Sequence, residues 1–298
     1  MSSALGLAHL FRGAFSDAVA LLSPIVALEG DLRSERFGYS VIPWATCATW
    51  LAEASSELGR FDEAIAHGEA ALRTAEAADH AYTLFFALSA LGLAHLRRGD
   101  IQCATPVLKR CLGLCHTWQF VDKVPFVRAS LGVAYALAGR ADEASPLVAS
   151  AVEEFRNREI RKLGRYRPTA SFLCTGTTYL TAGRIDEAAA HAREALALAR
   201  GLGDRGNEAH ALCLTGDVAS KGGAEDPEGY YCLALAVAEP RAMRPRVAHC
   251  HFGLGKLARC RGKLGQAQEH LTIATALYRE MNMTYWRGQA EAKMRQLD

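Results

Sequence analysis

Leu131-Gly132-Val133-Ala134-Tyr135-Ala136-Leu137-Ala138-Gly139-Arg140-Ala141-Asp142-Glu143-Ala144 is the stretch that decides the fold. A small residue, Gly132, is followed seven positions later by Gly139 and five further on by Ala144. The same spacing recurs at Gly6, Gly13, Ala18; at Ala52, Gly59, Ala64; at Gly92, Gly99, Ala104; at Gly176, Gly183, Ala188; and at Gly255, Gly262, Ala267. Another copy opens with Gly216 and Gly223, but an insertion around 224–227 displaces its alanine. Successive second glycines lie 46, 40, 40, 44, 40 and 39 residues apart. Self-similarity at such a period marks an array of stacked supersecondary units.

Each element of the phrase has a physical task. The first small residue belongs inside a helix A, where a second helix B crosses closely. The second glycine ends helix A in the left-handed conformation that other residues adopt only with strain. Acidic pairs follow in Arg60-Phe61-Asp62-Glu63-Ala64, in Arg140–Ala144 and in Arg184-Ile185-Asp186-Glu187-Ala188. They fall in the first turn of helix B, where the helix dipole favours negative charge. The alanine packs on helix A, and apolar residues continue at helical spacing. There is no sustained alternation and no Asn-Gly or Asp-Gly hairpin signal, so no β-pattern competes.

These phrases resemble the tetratricopeptide repeat (TPR), most clearly at Leu91-Gly92-Leu93-Ala94-His95, Leu131–Tyr135 and Gly176-Thr177-Thr178-Tyr179. The resemblance implies an all-α, right-handed superhelical solenoid of about seven helix pairs with a C-terminal capping helix. The repeats are expected at 1–30, 36–78, 80–118, 122–158, 166–202, 205–238 and 243–281, with the cap at 283–298, all in one domain of residues 1–298. The period of about forty exceeds the usual thirty-four, so helices or loops must be longer. A narrower likeness runs from Pro245 to Leu257, through Ala267–Thr272 and Ala274–Met281, to Trp286 and Gln289-Ala290-Glu291. It is similar to the repeat tail of bacterial signalling proteins that carry class III cyclase-like and ATPase domains. It implies a regulatory or sensor tail, whose partner would be its own upstream ATPase or cyclase. Leu5-Gly6 already reads as mid-helix, in keeping with that idea; a stand-alone short gene is the alternative.

Bulk composition narrows the function classes. The chain has 298 residues, is 50% hydrophobic, and balances 34 Lys and Arg against 32 Asp and Glu. A net charge of +2 argues against nucleic-acid binding, which needs a strongly basic face. Nine cysteines at irregular spacings and without a Cys-x-x-Cys pair read as reduced core thiols. Residues 1–11 lack a basic leader region, and the apolar stretch 81–96 is too short to span a membrane. A cytoplasmic protein without membrane partners is expected.

Catalytic motifs are missing. Gly255-Lys256 and Gly262-Lys263 lack the rest of a P-loop. Gly201-Leu202-Gly203-Asp204-Arg205-Gly206 matches a dinucleotide fingerprint but follows a helix rather than a strand, so it reads as an inter-repeat turn. His249 and His251 stand about 200° apart on a helix and cannot chelate one ion together. Cys111 and Cys115 share a face but lack further ligands. The chain is expected to be no enzyme and to use no cofactor or metal.

A binding surface follows from helical geometry. With the small residue of helix A pointing at helix B, offsets of −6, −3, +1, +4 and +5 form one stripe beside the packed face. In the TPR family the matching positions line the concave groove. The stripe names Phe86, Leu93, Leu96 and Arg97 in the third repeat, and Phe126, Val133 and Leu137 in the fourth. It adds Leu173 and Leu180 in the fifth, and His249, Phe252, Lys256 and Arg259 in the seventh. The middle of the groove is apolar and its C-terminal end basic. The Lys and Asn of the family's carboxylate clamp are missing from the early repeats, which points to an apolar or amphipathic protein or peptide partner. The alternative is a small molecule held among Phe86, Phe126 and Tyr179. A basic patch at Arg158, Arg161, Lys162, Arg165 and Arg167 reads either as a solvated helix end or as a dock for an acidic partner. Homo-oligomers through the solenoid ends are a further expectation.

Overall fold

The computed structural model describes residues 2–28, 30, 33–156, 167–222 and 226–297. Among them are fifteen α-helices and no strand. Seven antiparallel pairs follow one another: α1–α2 (Ser2–Phe11, Phe15–Val26), α3–α4 (Pro43–Glu57, Phe61–Ala77), α5–α6 (Ala81–Arg98, Ile101–Thr117) and α7–α8 (Val124–Leu137, Ala141–Arg156). Then come α9–α10 (Pro168–Thr181, Ile185–Leu202), α11–α12 (Arg205–Gly222, Pro227–Ala238) and α13–α14 (Arg244–Cys260, Leu264–Glu280). Helix α15 (Thr284–Met294) closes the array. No helix among the described residues is long and apolar enough to cross a membrane.

The repeated phrase performs its expected tasks. Gly92 leaves room for Leu108 of helix B: a Cβ there would lie 2.7 Å from the leucine side chain. Ala18, Ala64, Ala104, Ala144, Ala188 and Ala267 are fully buried. Asp62 with Glu63, Asp142 with Glu143, and Asp186 with Glu187 occupy the first turns of α4, α8 and α10. The long period reflects long helices, such as the 18 residues of α5. In the sixth repeat Tyr231, fully buried, fills the gap between α11 and α13 and lies against both Gly216 and Gly253. The Gly201–Gly206 segment runs from the end of α10 into α11, with the turn at Gly203 and Asp204 and Gly203 capping α10 at φ 66°.

The curvature brings distant repeats together. Gly59 ends α3 at φ 79° against Met281 and Pro245, where a side chain would collide. Gly99 ends α5 beneath Tyr285 and Trp286 of the cap. Phe61 shares a buried cluster with Ala248, Tyr278 and Met283. The Tyr285 hydroxyl donates to the Leu137 carbonyl at 3.3 Å. One side of the α1–α2 pair is covered: Leu10, Phe15 and Leu22 pack in one cluster with Leu212, Tyr231 and Val237. The helical ribbon thus turns until its first three repeats meet its last two and the cap. Not every thiol is internal: Cys103, Cys232 and Cys260 are exposed, which corrects the expectation of nine core cysteines.

Candidate functional site

The turn encloses a cavity of about 250 Å³. One wall comes from α5, α7 and α9. Leu93, Leu96, Phe126, Val133, Leu137, Leu173 and Leu180 face it, with Ala170 and Thr177 between them. These are stripe positions of three successive helices A, so one local rule builds a continuous apolar sheet of side chains. The opposite wall comes from α3, α11 and α13 and is polar. Ser56, Glu57, Asn207, His210, Asp217, Arg246, His249 and Lys256 line it, Arg97 reaches across from α5, and Phe252 and Trp286 close the end.

The polar wall is one connected network. The Glu57 carboxylate, only 6% exposed, accepts from Arg97 Nη2 at 2.9 Å and from His210 Nε2 at 2.9 Å. Burial opposes its charge, but Arg97 and His210 outweigh burial and hold the carboxyl well below the usual range. Arg246 Nη2 donates to His210 Nδ1. A guanidinium can only donate, so Nδ1 accepts and Nε2 carries the proton given to Glu57. The ring is therefore neutral. Burial, followed by the Arg246 charge, lowers its pKa accordingly. Beside this set, Arg167 grips Glu53 of α3 with Nη1 at 2.6 Å from Oε1. Tyr231 donates to Asp217 Oδ1 at 2.8 Å, which Lys256 Nζ approaches to 3.4 Å. Each of these bonds joins different helices, and those from α3 to α9 and α11 exist only because the array turns back on itself.

Of the residues the stripe names, Phe86 and Arg259 stand outside the cavity. Phe86 is held in an aromatic cluster, edge-on to Tyr82 at 5.1 Å and to Phe85 at 5.2 Å. Arg259 Nη1 turns outward and donates to Gln296 at 2.8 Å. Tyr179, offered for a small-molecule site, is buried between helices, stacked on His191 at 5.5 Å, and does not line the cavity. His249 meets Tyr278 at 2.7 Å, whereas His251 meets His270 at 2.9 Å, so the two point to different neighbours. Arg158, Arg161, Lys162 and Arg165 lie outside the described residues. Arg167, grouped with them as a surface patch, instead turns inward to Glu53.

Ser56, Glu57, His210 and Asp217 also line the cavity; the same offsets counted from Ala52 and Gly216 reach each of them. Arg246, Asn207 and Arg167 stand nine residues before their small residue, at the start of helix A, where the stripe ends.

A tetratricopeptide-repeat family model matches residues 125–149 and 172–194, which lie in the fourth and fifth pairs. The chain is TPR-like. Solved structures share this TPR-like architecture over nearly its whole length. The Rap conjugation gene regulator of plasmid pLS20, solved with a Phr peptide, aligns at TM-score 0.70 and 14% identity over 93% of this chain and 72% of its own. The apo form of RapI aligns at TM-score 0.58 and 12% identity, over 99% and 98%. A signal transduction ATPase with a tetratricopeptide repeat sensor from Pyrococcus horikoshii aligns at 0.52 and 16%, over 94% of this chain and 42% of that one. At these identities the likeness is one of fold. No curated protein sequence matches the chain.

Proposed function

We propose that this protein is a non-catalytic interaction scaffold that takes a short peptide or peptide-like protein segment into the cavity of its superhelix. The observation that carries the reading is the pair of unlike walls. A continuous apolar face can desolvate aliphatic or aromatic side chains, and a polar face opposite can hold a backbone or a charged end. The Rap regulator of similar fold was solved with a peptide bound, which supports the reading. In cells the scaffold would act as the sensor or regulatory region of a cytoplasmic bacterial signalling system, biasing an attached or separate ATPase or cyclase. The ATPase of similar fold, which carries a repeat sensor, supports that context.

The test uses randomised hexapeptides and isothermal titration of the members retained by the protein. Leu93→Glu and Val133→Glu each place a carboxylate on the apolar wall, and each should abolish binding while the helical circular dichroism remains. Retained binding by both folded variants removes the cavity assignment. The enclosed volume of about 250 Å³ also favours a second reading, a small-molecule ligand. That reading is marked by heat stabilisation with metabolites and no peptide retention.

A further inference from the structure

Resting on the peptide reading, we infer that the occupant of the cavity carries a carboxylate and that Arg246 is the residue that receives it.

Three cations, Arg97, Arg246 and Lys256, line the cavity with two carboxylates, Glu57 and Asp217. Both lining histidines, His210 and His249, have pKa values lowered chiefly by burial and then by Arg246, so neither adds charge near neutral pH. Arg97 is committed to Glu57, and Lys256 approaches Asp217. Arg246 differs from both. Its Nη2 donates to a neutral imidazole nitrogen, the thiols of Cys213 and Cys250 lie beside it, and the carboxylate that acts on it, Glu57, is already paired with Arg97. Among the described residues no carboxylate lies within ion-pairing distance of it, and its Nε is buried without a hydrogen-bond partner.

An internal guanidinium with no ion-pair partner of its own and a partnerless Nε leaves donor capacity unused inside the protein. An arriving anion would take it up, and a fork of N–H donors is shaped for a carboxylate. The site also lies where such a ligand would present it. Arg246 is in the first turn of α13, and Phe252 and Lys256 follow it along the cavity on the same helix. A peptide with its apolar side chains on the leucine wall would bring its anionic group to the opposite, polar wall. That group is either the chain's C-terminal carboxylate or an Asp or Glu side chain, and the pools below separate the two.

Three random hexapeptide pools serve as probes: free C-termini without Asp or Glu, C-terminal amides with Asp and Glu, and C-terminal amides without them. Retained members are sequenced by mass spectrometry and titrated against the full chain. Wild type should bind members of the first or second pool about tenfold to a hundredfold more tightly than the best of the third. Which of the two it is identifies the source of the carboxylate. Arg246→Gln keeps a donor for His210 and should remove that preference, while Arg246→Lys should keep part of it. The ligand-free Arg246→Gln protein should keep its helical circular dichroism, because Gln retains a donor for His210. Equal binding of all three pools by wild type, or an undiminished preference in Arg246→Gln, overturns the inference and leaves the peptide reading standing. Retention of no peptide from any pool overturns both.

Discussion

The two walls of the cavity obey the same helical rule and have opposite chemistry. On α5, α7 and α9 the stripe positions are leucine, valine and phenylalanine, and neighbouring repeats suffice to assemble them. On α3, α11 and α13 the corresponding positions are Glu57, His210, Asp217 and Lys256. Glu57 and His210 meet only across the turn of the superhelix, whereas Asp217 and Lys256 pair between neighbouring repeats. The apolar wall is thus a local product of the repeat, while the polar wall is completed by closure. A ligand between them would feel burial from one side and orientation from the other.

The largest effect should come from breaking the polar wall at its centre. Glu57→Gln preserves volume but leaves Arg97 without its buried counter-charge. A loss of about 3–5 kcal/mol is expected, read as a lower midpoint of urea unfolding. A change within about 0.5 kcal/mol would mean that the network spanning α3, α5 and α11 does not hold the turn together.

A smaller effect separates closure from local capping. Gly59 and Gly139 both end a helix A with positive φ, 79° and 75°. Gly139 faces open space, whereas Gly59 abuts Met281 and Pro245. Gly139→Ala should cost only the left-handed strain, about 1–2 kcal/mol. Gly59→Ala should cost that and the displacement of the Met281 side chain besides. Equal losses in thermal unfolding would contradict the contact between the second and seventh repeats.

The smallest effect is set by pH, which touches only one wall. The folded pKa values of His210 and His249 lie below the ordinary value, about 6.5. Above that pH both rings are neutral in the folded and the unfolded chain, and the stability they contribute is fully present. As pH falls below it, the unfolded chain takes up protons that the folded one refuses. Stability then declines, by at most about 1.4 kcal/mol per pH unit for each ring, until the folded pKa is passed. The melting temperature should therefore drop between pH 7 and pH 5, and His210→Gln should flatten that slope. An unchanged slope in His210→Gln would mean that the ring does not sit neutral between Glu57 and Arg246.

Much of the fold was legible because the seven-and-five spacing encodes packing and capping directly: a glycine where Leu108 must approach, another where α3 or α5 must end. The apolar wall was legible for the same reason, since Leu93, Val133 and Thr177 each stand one residue after a small one. The polar wall was written in the same register at Glu57, His210 and Asp217. Its assembly, however, depends on the summed rotation of seven repeats, which no single repeat states. Phe86 and Arg259 show the opposite failure. Both occupy stripe positions, but Tyr82 and Phe85 draw Phe86 into a local aromatic cluster, and the segment after α15 holds Arg259 outward. Tyr231 was hidden because the sixth repeat departs from the phrase: the ring stands 15 residues after Gly216, where Leu108 stands 16 after Gly92, and it takes the place of an aliphatic side chain.

The central claim is that the ligand lies between the two walls. The direct test is photo-crosslinking of the hexapeptide pools carrying benzoylphenylalanine, with adducts mapped by mass spectrometry. Adducts should fall on both walls, on Leu93, Val133 or Leu173 and on Asn207, Phe252 or Lys256. Adducts confined to the outer helices α4, α6, α8 and α10 would contradict it.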